Sequence, residues 1–311
     1  MTQESLKTPA ISVIVPVYNG LPHLRETVDA LLTQSFDDFE LLLCNDGSTD
    51  GSLDYLHSLR DPRVRVIDQR NRGLCNTLNR LIEEARAPVI ARSDQDDISL
   101  PHRLETQYRA LQEGGWDFLF SMIEKFGENG SWSNRDQEQE RKNSTAALSG
   151  LDHGAKLHST LMARAEAWRD IAYRSAFYPC DDWDLQLRAE EKYRVGILEE
   201  RLVRYRFHGG AATKGTFQIM QDRSRWAEAC ALARRANHEE PSEAEFAAAQ
   251  NAQPRWRRVN RRRKDFHRWA QRSGGEAWLD GQRFRAAGLL ALALVSGPER
   301  IAPRLWRIVR R

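Results

Sequence analysis

The sequence predicts an α/β fold: a parallel sheet covered by helices on both faces, followed by a helical C-terminal segment. Three observations predict it. Short β-branched or apolar runs alternate with helical stripes through the first 120 residues, the pattern of a sheet built from strand–helix units. From Thr216 onward strand signals vanish and only helical stripes remain. Hydrophobic residues make up 41% of 311 residues and charged residues 29%, enough to bury a core, which excludes disorder throughout.

Taken in order, Ile11 to Val17 is the first strand. Leu21 to Gln34 follows, with Leu24, Val28, Leu31 and Leu32 at helical spacing. Phe39 to Cys44 is the second strand, and Ser48, Thr49 and Asp50 are suitable caps for a helix reaching about Leu59. Val64 to Ile67 is a short strand. Leu74, Leu78, Leu81 and Ile82 mark a helix to Ala85, and Val89 to Ala91 is the fourth strand. Pro101 opens a helix through Leu104, Tyr108 and Leu111. Gly127 to Asn143 is polar and reads as a loop or hairpin edge. An apolar run (Leu157 to Met162), a helix (Asp182 to Glu191) and a strand pair (Val195 to Leu198, Leu202 to Phe207) come next. Gly210 to Gly215 marks a boundary. Beyond it, Trp226, Ala229, Cys230 and Ala233 form one helical stripe, and Trp256, Val259, Arg263, Phe266 and Trp269 form another.

Several classes are excluded early. The longest clean apolar stretch, Leu289 to Val295, falls far short of the roughly 20 residues that span a bilayer. The N-terminus carries Glu4 and Lys7 without an apolar signal segment, so export is not expected. Cys44, Cys75, Cys180 and Cys230 show no CxxC pairing and read as reduced cytosolic thiols, against a disulfide scaffold or a cysteine zinc site. Charge is unevenly placed. From Asn251 to Arg311 there are 16 Lys and Arg against 4 Asp and Glu, a local +12, which leaves −9 for the first 250 residues of a chain whose net charge is +3. A basic end of this kind faces phosphates of a membrane, a nucleic acid or an anionic substrate.

Parallel sheets bind ligands at the carboxyl ends of their strands. There the sequence places Pro16-Val17-Tyr18-Asn19-Gly20, then Asn45-Asp46-Gly47-Ser48-Thr49-Asp50, then Ser93-Asp94-Gln95-Asp96-Asp97. Three carboxylates within four residues repel one another unless a cation joins them. Oxygen-only ligands suit a hard divalent ion, Mg²⁺ or Mn²⁺, shared with substrate phosphates. An isolated Asp-rich turn equally caps a following helix. Ser99 stands where an EF-hand starting at Asp94 needs Gly, which excludes that loop. Neither GxGxxG nor GxxxxGK[ST] occurs, against a dehydrogenase and a P-loop NTPase.

The run Ser12-Val13-Ile14-Val15-Pro16-Val17-Tyr18-Asn19-Gly20, then Asn45 to Asp50, then Asn71-Arg72-Gly73 with Asn79, resembles the opening of family 2 glycosyltransferases. Ala91-Arg92-Ser93-Asp94-Gln95-Asp96-Asp97-Ile98-Ser99, with Pro101, Arg103, Leu104, Glu105 and Gln107, is similar to that family's metal-binding segment. His158 to Met162, Asp181-Asp182-Trp183-Asp184-Leu185 and Tyr205-Arg206-Phe207-His208 follow in the family's order. The resemblance covers roughly residues 10 to 210.

It implies the GT-A fold, the Rossmann-like mixed sheet of nucleotide-diphospho-sugar transferases flanked by helices, here with a helical C-terminal extension. It divides the matched part into a nucleotide-sugar-binding half (10–120) and an acceptor-binding half (121–215), while composition sets off a polar leader (1–9) and a basic helical extension (216–311). The implied reaction moves a sugar from a nucleotide-sugar donor, a UDP-sugar by default, to an acceptor hydroxyl with inversion. By that resemblance Pro16, Tyr18 and Asp46 hold the base and ribose. Arg72 and Arg92 meet the nucleotide or its phosphates, and Asp94 touches the ribose or sugar. Asp96 ligates the Mn²⁺ or Mg²⁺ that bridges the diphosphate, with Asp97 in support. Asp182 matches the carboxylate of the general base. The family usually has Glu-Asp where this chain has Asp181-Asp182, which leaves Asp181 as the other candidate. Both also suit the N-terminus of the helix they open. His158 and His208 sit in matched motifs, on the acceptor side and at the last strand's end, and are either site residues or structural ones.

In the tail, Arg255, Arg257, Arg258, Arg261, Arg262, Arg263 and Lys264 interleave with Trp256, Val259, Phe266 and Trp269. Two later segments, Phe284 to Val295 and Ile301 to Val309, add apolar residues flanked by Arg. The pattern fits an interfacial membrane segment or apolar residues packed back on the protein with Arg in solvent. No nucleic-acid module is present. The resulting expectation is an inverting glycosyltransferase in the cytoplasm or on the inner membrane face. It would build bacterial surface glycan on a glycan or lipid-linked glycan acceptor. The alternatives are a catalytically degenerate GT-A scaffold and a nucleotidyltransferase. The latter needs a basic Gly-rich loop after the first strand, and Pro16 to Pro22 has no Lys or Arg.

Overall fold

The structure, a computed structural model, describes residues 8–127, 132–133, 158–207, 216–279 and 281–297. The chain forms two compact units, Met1–Lys125 with Asn134–Arg206, and Phe126–Ser133 with Phe207–Arg311. In the first unit β1 (Ile11–Val17), α1 (Leu24–Leu32), β2 (Phe39–Asp46), α2 (Ser52–Ser58), β3 (Val64–Gln69), α3 (Leu74–Glu84) and β4 (Val89–Arg92) follow the alternation predicted above. Strands β2–β1 and β1–β4 pair in parallel, as do β2–β3, with Ile11 opposite both Phe39 and Val89.

Then the sheet turns mixed. After β5 (Ile98–Ser99) and α4 (Arg103–Gly114) come β6 (Phe118–Gly127), the two-residue β7 (Trp132–Ser133), β8 (Met162–Arg164), α5 (Ala165–Asp170), α6 (Asp181–Lys192) and β9 (Val195–Phe207). The strand order is β3-β2-β1-β4-β8-β6-β9-β5. The β4–β8, β6–β8 and β5–β9 pairs are antiparallel.

Side-chain alternation along the strands divides the core between two faces. Ile14, Leu42, Cys44 and Ile90 pack with Leu78, Leu81 and Ile82 of α3, Trp168 of α5 and Leu185 of α6. Val13, Val15, Leu41, Leu43 and Ala91 pack with Leu24, Val28 and Leu31 of α1, Leu56 of α2 and Leu104 and Leu111 of α4. Both faces are thus covered by helices, and each fully buried aliphatic contributes roughly 1.5–3 kcal/mol.

The second unit holds α7 (Phe217–Arg235), α8 (Glu243–Ala252), α9 (Arg255–Leu279) and α10 (Arg283–Ser296). α8 opens on a capping box: Ser242 Oγ accepts from Glu245 N at 3.3 Å, and Ser242 N donates to Glu245 Oε2 at 2.8 Å. α9 packs on α10, with the His267 ring Nδ1 2.8 Å from the Ala293 carbonyl. Among the described residues no helix is long and apolar enough to cross a membrane.

Some details depart from the sequence reading. The strand pair Val195 to Leu198 and Leu202 to Phe207 is one 13-residue strand. Glu199-Glu200-Arg201 between them has no Gly, Asn or Pro to supply a hairpin turn. Helix α2 starts after Gly51 at φ 86° without a side-chain cap from its cap residue. Ser48 binds the loop after β1, whereas Asp50 binds both loop and helix: its Oδ1 accepts from Ser52 N, the first residue of α2, at 3.0 Å, and its Oδ2 from Leu21 N in the β1 loop at 2.9 Å. The proposed boundary Gly210 to Gly215, His208, the segment Ile301 to Val309 and most of the Gly127 to Asn143 loop lie outside the described residues.

Candidate active site

The first two strand-end loops are stitched into one surface. Asn19 N donates to Ser48 Oγ (3.0 Å), Thr49 N to Asn19 Oδ1 (2.7 Å) and Leu21 N to Asp50 Oδ2 (2.9 Å). Gly47 sits at φ +76°, and a Cβ there would stand 2.8 Å from Asn71 N, so only glycine fits. The Asp46 carboxylate at the end of β2 is 4% exposed. It accepts from Arg72 N at 2.7 Å, Gly73 N at 3.0 Å and Gln69 Nε2 at 2.8 Å. It therefore fixes the entry to α3 and leaves the Arg72 side chain exposed on the same edge. Pro16 lies opposite Cys44 on β2. Two residues on, the Tyr18 ring is 50% exposed. Its backbone pairs reciprocally with the Gln95 side-chain amide (N to Oε1 2.9 Å; Nε2 to O 3.1 Å).

That pairing attaches the β1 loop to the acidic loop after β4. Arg92, almost fully buried, donates from both terminal nitrogens to Asp94, at 2.9 Å to Oδ2 and 2.5 Å to Oδ1. Below the loop lies Arg103, fully buried. It donates to the Arg92 carbonyl at 2.6 Å, Ser99 Oγ at 2.9 Å and Gln107 Oε1 at 3.0 Å, and burial lowers its pKa to about 10. From β9, Arg206 donates its Nε to the Asp96 carbonyl (3.0 Å), its backbone N to Asp97 Oδ1 (3.0 Å) and its Nη2 to Glu26 on α1 (2.5 Å). Burial raises the carboxyls of Asp94 and Asp97, against Arg92 for Asp94 and aided by Asp94 and Asp96 for Asp97. Asp97 Oδ2 is buried, and the Ser159 side chain and the Arg206 amide do not offset the rise.

Across this loop α6 begins with Asp181 and Asp182. Burial lifts Asp182 to about 7; Asp181 and Asp94 add to the rise, while the Trp183 amide and Arg92 oppose it. The amide donates to Asp182 Oδ1 at 2.7 Å. The common influence of Arg92 and Asp94 on Asp182 joins the start of α6 to the end of β4 in one electrostatic site. Asp181 is 5% exposed, raised by burial, and accepts from the Cys75 thiol. A carboxylate near 7 is a much better proton acceptor at neutral pH than an ordinary one. Opposite behaviour occurs at the N-terminal ends of the strands: burial works against Glu40, yet Ser12, Arg86 and Arg65 bring its pKa below the usual value. Among the described residues, the carboxyls raised by burial are Asp94, Asp97, Asp181 and Asp182, a clustering of the kind found at functional sites.

His158 is 7% exposed, and its ring Nε2 meets the Tyr173 hydroxyl. Burial, with Arg92 nearby, holds it far below the usual histidine value, hence neutral. Asn79 clamps the Tyr173 backbone in both directions (Nδ2 to O 2.9 Å; N to Oδ1 2.8 Å). The structure thus brings together Pro16, Tyr18, Asp46, Arg72, Arg92, Asp94, Asp96, Asp97, Asp181 and Asp182 around the strand ends, with His158 beneath them. Arg103, Tyr173, Gln95 and Arg206 were not singled out from sequence. Arg103 and Arg206 each lie in a quoted motif, but nothing local tells a buried strut from a surface arginine.

Among the described residues no group of three or more His, Cys, Asp or Glu is arranged to hold a metal ion. With Asp94 held by Arg92, the chain offers few oxygen donors of its own at this loop. Carboxylate oxygens are the donor type that a hard divalent cation takes.

Comparison with known proteins bears on the family and the fold. Residues 12–171 match the family model described as "Glycosyl transferase family 2". EpsE of Bacillus subtilis (strain 168), a glycosyltransferase by name, is 33% identical over 231 residues, 69% of this chain and 79% of that one. The hyaluronan synthase of Pasteurella multocida is 34% identical over 101 residues, 32% of this chain but only 10% of that longer one. Among solved structures, S. aureus TarS 1-349 in complex with UDP-GlcNAc superposes with a TM-score of 0.57 at 17% identity, covering 92% of this chain and 88% of that chain. The described sheet and flanking helices have the GT-A architecture.

Proposed function

The chain belongs to glycosyl transferase family 2 and is a glycosyltransferase, and from that premise we propose that it transfers its sugar with inversion, by metal-assisted single displacement. The observation that carries this reading is the convergence of Asp94, Asp96 and Asp97 with Asp182 around Arg92. A donor nucleotide-sugar would lie along the strand ends, its base and ribose near Tyr18, Pro16 and Asp46 and its phosphates toward Arg72 and Arg92. The UDP-GlcNAc in the TarS complex supports a UDP-sugar.

Asp96, with Asp97 behind it, would hold Mn²⁺ or Mg²⁺. The oxygen donors fit a hard cation, and the repulsion acting on Asp97 would be relieved by one. When bound, the ion supplies Lewis-acid stabilisation of the departing diphosphate. Asp182, deprotonated above about 7, takes the proton from the acceptor hydroxyl. Arg92 holds Asp94 against the sugar or ribose, and neutral His158 adds no charge to that neighbourhood. Asp181 tunes Asp182 by repulsion. Residues 10–120 serve as the donor half, 121–215 as the acceptor half and 216–311 as the basic extension.

The hyaluronan synthase relative supports a role in polysaccharide synthesis, with a glycan or lipid-linked glycan as acceptor. Exposed Trp256, Trp278 and Phe284 among arginines support a peripheral place on the inner face of the cell membrane. The test is to incubate the protein with nucleotide-sugars and Mn²⁺ and follow the product's anomeric proton by NMR. Inversion is expected; retained configuration overturns the mechanism.

A further inference from the structure

In the helical unit a cleft of about 330 Å³ opens between α7 and α9, a volume at the small end of ligand pockets. Arg257, Arg261, Lys264 and Arg268 line it from α9, at spacings of four, three and four residues that set them on one helix face. Arg225 lines it from α7 and Trp256, 64% exposed, stands at its mouth.

The charges of this stripe are not balanced. Arg225 is held by Asp222 at 3.0 Å and by Asp265, so it belongs to an ion-pair network. Arg268 instead donates to neutral Gln221 at 2.8 Å and Arg261 to neutral Gln250, while Arg257 lies over the Trp256 ring at 5.2 Å. Among the described residues no carboxylate pairs with Arg257, Arg261, Lys264 or Arg268. Elsewhere in the unit arginines do find acids, Arg223 with Glu243 and Arg234 with Glu240, each at 2.7 Å. Only Glu228 and Asp265 bring negative charge to the lining, against five cations, and Asp265 is already engaged by Arg225.

Four like charges on one helix face repel one another, and a concave wall concentrates their field on whatever enters. Guanidinium forks match phosphate oxygens in pairs, and the lysine adds a point charge.

We propose that the cleft between α7 and α9 is a second ligand site, binding a phosphate- or diphosphate-bearing anion without a metal, either free or as the headgroup of a lipid. It stands apart from the transfer reading, since every lining residue lies in the helical unit.

The test uses the full chain in EDTA, titrated calorimetrically with inorganic pyrophosphate. The variant Arg261→Gln/Lys264→Gln/Arg268→Gln is compared with Arg255→Gln/Arg262→Gln/Arg283→Gln, which removes the same charge outside the cleft. The site predicts saturable binding that weakens about tenfold or more in the first variant. It changes less than twofold in the second and persists in Asp96→Ala. Unliganded melting temperatures check that each variant is folded. Absence of saturable binding, or equal weakening in both variants, overturns the proposal and leaves a solvated basic face. A second arm distinguishes the sources, using phosphatidylcholine vesicles with and without phosphatidic acid. Sedimentation with the phosphatidic acid vesicles that the first variant alone loses assigns the site to a lipid headgroup. Pyrophosphate binding without such sedimentation assigns it to a free anion.

Discussion

Arg92 grips both carboxylate oxygens of Asp94 from the end of β4, at 2.9 and 2.5 Å, while its own backbone carbonyl is held by the buried Arg103 at 2.6 Å. The first carboxylate of the acidic loop is thus fixed by a cation of the chain itself. The proposed function assigns an added cation to Asp96, and the predictions below test that assignment.

Asp96→Ala should abolish Mn²⁺-dependent nucleotide binding while leaving the fold intact. Calorimetry with a nucleoside diphosphate, with and without Mn²⁺, checks it. Undiminished metal-dependent binding would remove Asp96 from the ligand set.

With the Asp182 pKa at about 7, turnover should rise roughly tenfold per pH unit below about 7 and level off above it. Asp182→Asn should keep donor binding and lose transfer. A flat profile, or transfer retained in the variant, moves the base elsewhere.

The same shift has a stability consequence. Because the folded-state value is raised, mainly by burial, the neutral acid is favoured in the fold. Its stabilising contribution is complete below the ordinary carboxylate range and is lost as pH rises through about 7. Asp182→Asn should therefore raise Tm at pH 8 by about 2–4 °C, ~1 kcal/mol, and leave it unchanged near pH 4. Melting curves at the two pH values decide it.

Arg206→Met should cost about 1–3 kcal/mol, because the Asp96 carbonyl and Glu26 lose their donors. Since those bonds tie the acidic loop to β9 and α1, Mn²⁺-dependent nucleotide affinity should fall with it. Urea unfolding and calorimetry read the two effects. Loss of stability with unchanged affinity would show that the loop holds its shape without the strut.

Tyr173→Phe removes the hydroxyl that meets His158 and should destabilise by about 1–2 kcal/mol, with donor affinity unchanged. A large loss of affinity would place the His158–Tyr173 pair in contact with substrate.

The sheet's parallel half was legible because Ile11 to Val17, Phe39 to Cys44 and Val89 to Ala91 are buried on both sides, so composition alone marks them. β5 and β8 were not: two or three residues carry no period, and their pairing with β9 and β4 is made by distant chain. α8 escaped notice although Ser242 and Glu245 spell its capping box. In the site, the residues that stand at strand ends (Tyr18, Asp46, Asp94, Asp96) follow from position in sequence. The struts beneath them, Arg103 and Arg206, depend on which arginine the fold buries, a property of packing that no local pattern records. Asn19, Ser48, Asp50 and Asn79 show the converse, since these motif residues hold loops and backbone together.

The most direct measurement of the donor site is thermal melting of the full chain with UDP, GDP, CDP and dTDP, each with and without Mn²⁺. A ligand that binds only the folded state raises Tm by mass action. The account predicts a rise with one nucleotide, UDP foremost, that requires Mn²⁺, survives Asp182→Asn and disappears in Asp96→Ala. No rise with any nucleotide, or a rise that ignores both Mn²⁺ and Asp96→Ala, would contradict it.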